Sequence, residues 1–323
     1  MTQITIGRRN LLGLAGLGVA QALLTACGQG GTTAQWNSNS SAKPGGSAPP
    51  TPSPSTPSGA PVHVRLYEND GGVYGVGMPI IAYLSTAITS SRAFTGATNV
   101  TVNGAPAQGA WYFQRSAIYK DYPVEAHYRP QDYWPAHAKI HLDLPVSGLS
   151  AGTGLVFDNS LVLDMSTGAR NIANVDGATE RMTVTSDDVQ MFTFPVSLGK
   201  ASAPTFTGVK VVMEKDAVKE MIGTTPGQEY DLKVPWSVRI TNSGEFIHAA
   251  SWNGGNIGQR STSHGCTNLT VADAKKYFDF AQIGDVAVYT NTGGGTMPSW
   301  DGYGDWNLPW STWQAGGLVS PTK

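Results

Sequence analysis

The residues best suited to chemistry lie in one short run, Ser-His-Gly-Cys-Thr-Asn, which spans Ser263–Asn268. The chain contains two cysteines, and Cys266 sits here between a glycine and a threonine in a polar, turn-like segment. A cysteine that serves packing is usually buried among apolar neighbours. Cys266 is therefore a candidate nucleophile.

A histidine stands where it can serve this thiol as a base. His248 lies eighteen positions before Cys266, at the end of the strand-like run GEFIHAA. The connection SWNGGNIGQRSTS is rich in Gly and Asn, so it can fold back and bring the imidazole alongside the thiol. A cysteine nucleophile needs a base to take its proton and a third group to orient that base. Since no Asp or Glu lies between the two residues, a backbone carbonyl is the expected orienting group.

A zinc site is the chemical alternative at this motif. His248, His264 and Cys266 are all good zinc ligands, but no fourth or carboxylate ligand stands near them in the sequence. We therefore expect no metal and no cofactor. His264 is predicted to be a structural member of the motif turn rather than a second base.

The N-terminus carries export signals. Arg8 and Arg9 precede an apolar run, Leu11–Leu24, which is too short for a comfortable membrane span. The paired arginines suggest a twin-arginine signal. The run closes on Leu-Thr-Ala-Cys, which resembles a bacterial lipobox, so residues 1–27 are predicted to be a lipoprotein signal peptide with Cys27 as the lipidated residue. An ordinary cleaved signal with a chance cysteine is the alternative.

This leader predicts a location for the protein. We expect a lipid anchor in the cell membrane and a chain that faces the cell wall or periplasmic space. With Cys27 lipidated, Cys266 has no disulfide partner in its own chain, although thiols in that compartment tend to oxidise. Residues 28–61 are almost wholly Gly, Ser, Thr, Ala, Asn and Pro and are predicted to be a disordered tether. The formal net charge of −2 argues against a nucleic-acid partner.

The remaining residues read as mainly β. Residues 62–153 show short β-rich runs split by Gly, Asn, Asp and Pro, which favours an immunoglobulin-like β-sandwich with Trp111 in its core. The spacings of its histidines fit no common metal site, so we interpret His127, His137 and His141 as solvated or hydrogen-bonded strand residues.

Residues 154–291 continue with strands and show one secure helix. Thr270 can cap this helix, Asp273 stands at the capping-box position, and Gly284 is placed to end it. Cys266 would then lie in a turn just ahead of a helix N-terminus, which would lower the pKa of the thiol and favour an oxyanion.

His248, separated by seventeen residues from Cys266 in the run Ser263–Asn268, forms a pattern that resembles the active-site motif of the L,D-transpeptidases, the YkuD-like cysteine enzymes of bacterial cell-wall synthesis. The wider resemblance is to actinobacterial, mycobacterial-type members, and it extends to a Trp-rich tail in residues 292–323. This resemblance implies an N-terminal Ig-like sandwich, a YkuD-like β-rich catalytic domain with one or few helices, and a tail that packs on the folded domains.

The resemblance also assigns roles to individual residues. Cys266 is the nucleophile, His248 the proton acceptor and donor, and the Ala249 carbonyl orients the imidazole where relatives often have Ser or Gly. The backbone N–H groups of Gly265 and Cys266 would form the oxyanion hole. The expected substrate-binding residues are Tyr230, Ser243, Gly244, His264 and Asn268. Tyr230 lies in a lid-like segment, 223–236, with no tight sequence anchor.

The implied reaction makes 3→3 peptidoglycan cross-links and so serves cell-wall biogenesis and cell shape. The thiolate attacks a tetrapeptide donor stem, expels D-alanine, and the thioester passes to the meso-diaminopimelate amine of an acceptor stem. Carbapenem-type β-lactams would acylate the same thiol. Two alternatives stay open: an L,D-carboxypeptidase, in which water resolves the thioester, and a non-catalytic peptidoglycan-binding lipoprotein.

Overall fold

The computed structural model describes residues 58–223 and 230–319, which are built mainly from β-strands, as the sequence predicts. Cys27, the predicted signal peptide and nearly all of the predicted tether lie outside the described residues. Within the described ranges, no helix is long and apolar enough to cross a membrane.

The first domain is a β-sandwich. Its main sheets have the strand orders β2-β4-β8-β7 and β3-β12-β9-β5-β6, and a small third sheet has the order β1-β11-β10. The strands are β1 Ala60–Val62, β2 Val64–Leu66, β3 Gly72–Tyr74, β4 Ile80–Leu84, β5 Asn99–Val102, β6 Ala105–Pro106, β7 Gly109–Arg115, β8 Val124–Pro130, β9 Lys139–Leu144, β10 Ser150–Gly152, β11 Leu155–Phe157 and β12 Leu161–Thr167, with helix α1 at Arg92–Ala97.

Alternating side chains build the core of this sandwich. In β9, Ile140, Leu142 and Leu144 are buried while the residues between them face outward, because successive strand residues point to opposite faces. Trp111 is 2% exposed and packs edge-on against Phe94 with ring centroids 5.1 Å apart. The predicted core role of Trp111 is confirmed.

The sandwich extends beyond the bounds that the sequence suggested. Its first strand, β1, begins inside the predicted tether. β11 pairs with β1 and β12 pairs with β9, so both belong to the sandwich although the predicted boundary followed residue 153. The sequence offered no break after Thr167 because the second domain opens with another strand.

Each of the three histidines singled out in the sandwich sequence contacts a carboxylate. The pairs are His127–Asp305 at 3.0 Å, His137–Asp187 at 2.8 Å and His141–Asp164 at 2.8 Å. The interpretation as hydrogen-bonded strand residues is confirmed for His127 on β8 and His141 on β9, whereas His137 lies in the turn before β9 with a φ of +53°.

The second domain packs two further sheets around an apolar core. Their strand orders are β15-β14-β13-β21-β16 and β17-β18-β19-β20. The strands are β13 Asn171–Asp176, β14 Arg181–Ser186, β15 Val189–Pro195, β16 Gly208–Val211, β17 Glu214–Gly223, β18 Tyr230–Arg239, β19 Phe246–Ala249, β20 Thr267–Leu269 and β21 Val286–Thr290.

The predicted helix is present as α2, Val271–Phe280. Thr270 caps it, since the threonine hydroxyl accepts a hydrogen bond from the Asp273 N–H at 3.1 Å. The expected C-terminal signal was wrong, because the helix ends on Ala281 as C-cap and Gly284 lies beyond it, in the turn before β21.

The Trp-rich tail carries helix α3, Trp310–Gln314, and packs on the sandwich. Trp313 is fully buried and stacks on Tyr112 with ring centroids 4.9 Å apart. The guanidinium of Arg129 lies 4.4 Å from the centre of the Trp313 ring and 4.7 Å from that of Trp306. These aromatic and cation–π contacts fasten a segment with little regular structure.

Candidate active site

The motif is placed by two adjacent parallel strands. β19 ends with His248 and Ala249, and β20 begins directly after Cys266. In the pairing of these strands, His248 lies opposite Asn268. The Gly- and Asn-rich connection therefore folds back as predicted, and His248 and Cys266 line the same cavity. The expected turn around Asn268 is instead a short strand.

The thiol is held by its neighbours in the turn. Cys266 is half-buried, and its Sγ lies 3.6 Å from the carbonyl oxygen of Gly244, which accepts the S–H. Ser263 Oγ donates to the Cys266 carbonyl at 2.6 Å and accepts the Gly265 N–H at 3.1 Å. Gly244 and Gly265 have φ angles of +109° and +124°, a region that favours glycine, so both positions need this residue type. To serve an oxyanion, the Gly265 N–H must share or leave its bond to Ser263.

His248 is buried and oriented by the main chain. Its Nδ1 lies 2.8 Å from the Ala249 carbonyl oxygen, the group that the sequence predicted for this role. Because a carbonyl only accepts, Nδ1 carries the proton and Nε2 keeps its lone pair. Burial lowers the pKa of His248 to about 4, against a smaller opposing effect of the bond to Ala249. The imidazole is therefore a neutral acceptor at physiological pH.

The expected lowering of the pKa of Cys266 was wrong. Burial raises the pKa of the thiol to about 11, and the nearby Glu245 adds to the rise, while a hydrogen bond from the Phe246 backbone and the charges of Lys210 and Arg239 oppose it. β20 separates the thiol from the N-terminus of α2, which removes the helix end that was expected to stabilise a thiolate. Cys266 thus rests as a thiol.

The cavity beside these residues has one apolar wall and one polar wall and a volume of about 230 Å³. The apolar wall consists of Met221 on β17 and of Leu232 and Val234 on β18. The predicted lid segment is thus largely a regular β-hairpin, and its tip, residues 224–229, lies outside the described residues. Both strands of this hairpin contribute side chains that line the cavity, which is the position expected of a lid.

Asn268 is the predicted substrate-binding residue with the clearest geometry. It is 3% exposed, lines the cavity, and its buried Oδ1 has no hydrogen-bond partner among the described residues. A buried unpaired acceptor is costly, and such groups in native structures usually have a functional reason. The Oδ1 of Asn268 can therefore accept a further hydrogen bond at the cavity.

The other predicted substrate-binding residues differ in their contacts. His264 is exposed at the cavity and accepts a hydrogen bond from Lys200 Nζ at 2.9 Å. Ser243 is tied to Asp301, which accepts its N–H at 2.6 Å and its hydroxyl at 2.5 Å. Gly244 contacts the thiol through its carbonyl. Tyr230 begins β18, and its side chain is outside the described part of the chain.

The structure adds residues that sequence reasoning missed. Trp252 stacks on the His248 ring with centroids 6.0 Å apart and lines the cavity. The sequence contained one indication of this contact, because Trp252 lies only four positions after His248. Asp301 lies in the tail and is 1% exposed, and nothing in the local sequence connects it with Ser243.

No three His, Cys, Asp or Glu side chains in the described ranges are grouped so that they could hold a metal ion. The zinc alternative would require such a group at His248, His264 and Cys266.

Two family models match this chain. Residues 170–289 match the L,D-transpeptidase catalytic domain (YkuD), and residues 32–150 match a bacterial Ig domain. The chain carries a YkuD-family L,D-transpeptidase catalytic domain. Members of this family are cysteine-dependent acyltransferases. The fold and the resemblance that the sequence suggested are thereby confirmed.

Individual relatives agree with this assignment. The chain is 31% identical to L,D-transpeptidase 2 of Mycobacterium tuberculosis over 266 residues, which are 80% of this chain and 63% of that protein. It thus spans less than two thirds of that relative's length. Among solved structures, L,D-transpeptidase LdtMt1 in complex with imipenem aligns over 70% of this chain and 97% of its own, with a TM-score of 0.59 and 25% identity. L,D-transpeptidase 3 of M. tuberculosis in complex with a faropenem-derived adduct gives the same coverage and identity, with a TM-score of 0.55.

Proposed function

We propose that this protein is an L,D-transpeptidase that forms 3→3 cross-links between meso-diaminopimelate residues of peptidoglycan through a thioester on Cys266. The observation that carries the proposal is the pairing at one cavity of a neutral thiol with an imidazole whose Nδ1 is engaged by Ala249. Of the two nitrogens of His248, this leaves Nε2 to receive the thiol proton.

Acylation follows from these protonation states. As Cys266 Sγ attacks the carbonyl carbon at the L-centre of meso-diaminopimelate in the donor tetrapeptide, its proton passes to His248 Nε2. The oxyanion that forms takes hydrogen bonds from backbone N–H groups at Gly265 and Cys266. When this tetrahedral intermediate collapses, the bond from the carbonyl carbon to the nitrogen of D-alanine breaks, and the departing amine takes the proton from His248. The result is a thioester and a neutral imidazole.

The second half of the cycle returns the thiol. The side-chain amine of an acceptor stem attacks the thioester carbonyl and loses a proton to His248, which then protonates the departing sulfur. Water, present at a bulk concentration of about 55 M, competes for the same carbon, but a well-oriented amine can reach an effective molarity on the order of 10⁵ M or more. The apolar wall of Met221, Leu232 and Val234 favours the amine, because it excludes water from the intermediate.

Acylation by a β-lactam tests the nucleophile. The relative LdtMt1 was solved in complex with imipenem, and we expect imipenem to add once per chain, at Cys266. Intact-protein mass spectrometry should show a single adduct on the wild type and none on Cys266→Ala. An adduct that persists in Cys266→Ala would overturn the assignment, and a wild type that neither reacts nor turns over tetrapeptide would leave the peptidoglycan-binding lipoprotein as the better account.

We also propose that the protein is anchored to the cell membrane by lipid on Cys27 and works on the cell-wall side. Support comes from the Leu-Thr-Ala-Cys run after the apolar segment and from the Gly-, Ser- and Pro-rich stretch that follows it. Cys27→Ser should release the protein from the membrane fraction or leave it as an unprocessed precursor. Unchanged fractionation, with no lipid label on the wild type, would contradict the anchor.

A further inference from the structure

A buried ion pair lies beside the nucleophile and has no part in the mechanism above. Lys210 on β16 is fully buried and donates from Nζ to a carboxylate oxygen of Glu245, which is 6% exposed. Taking two such ions out of water costs several kcal/mol per ion, and apolar pairs of similar volume often stabilise a fold as well or better. Stability alone therefore does not explain the pair.

Glu245 fixes the turn that presents a carbonyl to the thiol. Its N–H donates to Thr241 Oγ1 at 2.8 Å, and its Oε1 accepts the Phe206 N–H at 2.8 Å. The residue before it is Gly244, whose carbonyl accepts the Cys266 S–H, and the strand after it carries His248. A shift of the Glu245 side chain would therefore move both the thiol's acceptor and its base.

Lys210 reaches the other side of the same cysteine. Its Nζ lies 3.9 Å from the centre of the Tyr289 ring, and the Tyr289 hydroxyl lies 2.7 Å from that of Thr267, the residue after Cys266. On the preceding side, a Cβ added to Gly265 would lie 3.4 Å from Glu245 Oε1, so the carboxylate packs directly against that glycine. The ion pair thus supports both chain neighbours of Cys266.

We propose that Lys210 and Glu245 are positioning residues for Cys266, which fix the Gly244 carbonyl and the Tyr289–Thr267 contact around the thiol and balance opposite charges next to its sulfur. This inference rests on the proposed function only in taking Cys266 as the nucleophile.

The charge balance can be read from the groups that face the sulfur. Lys210 comes from β16, Arg239 from β18, Glu245 from the position before β19 and Tyr289 from β21. His248 on β19 lines the same cavity, and Asp301 of the tail acts on Lys210. Of these groups, Lys210 favours a thiolate and Glu245 disfavours it. Removing one member of the pair leaves the charge of the other uncompensated in a low-dielectric setting.

Alkylation of Cys266 by iodoacetamide measures this balance without requiring transpeptidation. Below the pKa, the rate follows the fraction of thiolate. In the full chain at about pH 7.5, Glu245→Gln should react about tenfold faster than the wild type and Lys210→Met about tenfold slower, which corresponds to pKa shifts of about one unit in opposite directions. The double variant should react at nearly the wild-type rate. Mass spectrometry of the tryptic peptide that follows Arg260 reports the site.

The controls separate charge from folding. Lys275→Met and Asp279→Asn break an exposed ion pair on α2 and should leave the alkylation rate unchanged. The double variant Lys210→Met/Glu245→Gln removes both buried charges, so it keeps the test decisive even if one of its single variants fails to fold. Equal shifts in both single variants, or a double variant as slow as Lys210→Met, would overturn the proposal. A wild type that does not react with imipenem would contradict the proposed function, but the comparison of alkylation rates among the variants would remain valid.

Discussion

His248 donates its Nδ1 proton to the carbonyl of Ala249 across 2.8 Å, and this bond determines that Nε2 keeps the lone pair. Burial then lowers the pKa of His248 to about 4 and raises that of Cys266 to about 11, so the resting pair is neutral over a wide pH range. Catalysis must therefore couple deprotonation of the thiol to its attack.

The pH dependence of acylation by imipenem tests this coupling. The rate should stay nearly constant from about pH 8 down to about pH 5 and fall only near pH 4, because His248 becomes protonated there. An unperturbed imidazole would lose half the rate near pH 6.5. His248→Gln should lower the rate by about 10²–10⁴-fold, the usual contribution of a general base. A rate that climbs tenfold per pH unit above neutrality would instead indicate a thiolate formed without His248.

Asn268 should matter for substrate and little for intrinsic thiol reactivity. Its unpaired Oδ1 at the cavity is expected to accept an N–H of the donor peptide. Asn268→Ala should lower kcat/KM for the tetrapeptide by about tenfold to a hundredfold, equivalent to about 1–3 kcal/mol. Alkylation by iodoacetamide serves as the control and should change little. Equal losses in both reactions would show that the substitution disturbs the thiol rather than peptide binding.

The local parts of this site were predictable from sequence, and the long-range parts were not. Cys266 and the Thr270 cap are marked by residues a few positions away, and His248 by its spacing of eighteen positions from Cys266. The three-residue strand Thr267–Leu269 reads as a turn, because its run is too short to show a period. Its presence moves the cysteine away from the helix end that was expected to lower the pKa of the thiol, and burial raises that pKa instead.

The buried contacts behind the cysteine join residues that are distant in sequence. Lys210 and Glu245 are 35 positions apart, Ser243 and Asp301 are 58 apart, and no local pattern marks either pair. A lysine in a strand predicts an exposed side chain, since lysine is rarely buried unless it is paired. The strand order that brings Glu245 to Lys210 is a property of the folded domain, so this part of the site required the structure.

The apolar wall of the cavity, formed by Met221, Leu232 and Val234, should determine how often water hydrolyses the thioester. Leu232 lines the cavity, so Leu232→Ser admits water and should raise the ratio of tripeptide to cross-linked dimer several-fold. Val218→Ser is the matched control, because Val218 lies on the same hairpin, is 60% exposed and does not line the cavity. Product analysis by liquid chromatography measures the ratio. Similar ratios for the two variants would mean that this wall does not protect the intermediate.

The buried pair of His127 and Asp305 predicts a pH-dependent stability. Burial alone would lower the pKa of His127, but Asp305 and Glu125 outweigh it and raise the value to about 9. The pair therefore contributes its full stability below about pH 6.5 and loses it as the pH rises through about 9. Asp305→Asn should cost about 3–5 kcal/mol near pH 6 and progressively less at alkaline pH.

Thermal unfolding at a series of pH values measures this difference. Asp164→Asn, which breaks the exposed pair with His141, should cost no more than about 1 kcal/mol and serves as the control. A penalty for Asp305→Asn that stays constant from pH 6 to pH 10 would show that the buried histidine is not charged in the folded protein.

The identity of the product tests the central claim most directly. Purified protein supplied with a disaccharide-tetrapeptide should release D-alanine and form dimers joined from meso-diaminopimelate to meso-diaminopimelate, as tandem mass spectrometry can establish, and Cys266→Ala should form neither. If the wild type yields only tripeptide at millimolar donor, water resolves the thioester and the L,D-carboxypeptidase account replaces the transpeptidase. Dimer formed by Cys266→Ala would contradict a cysteine-based mechanism.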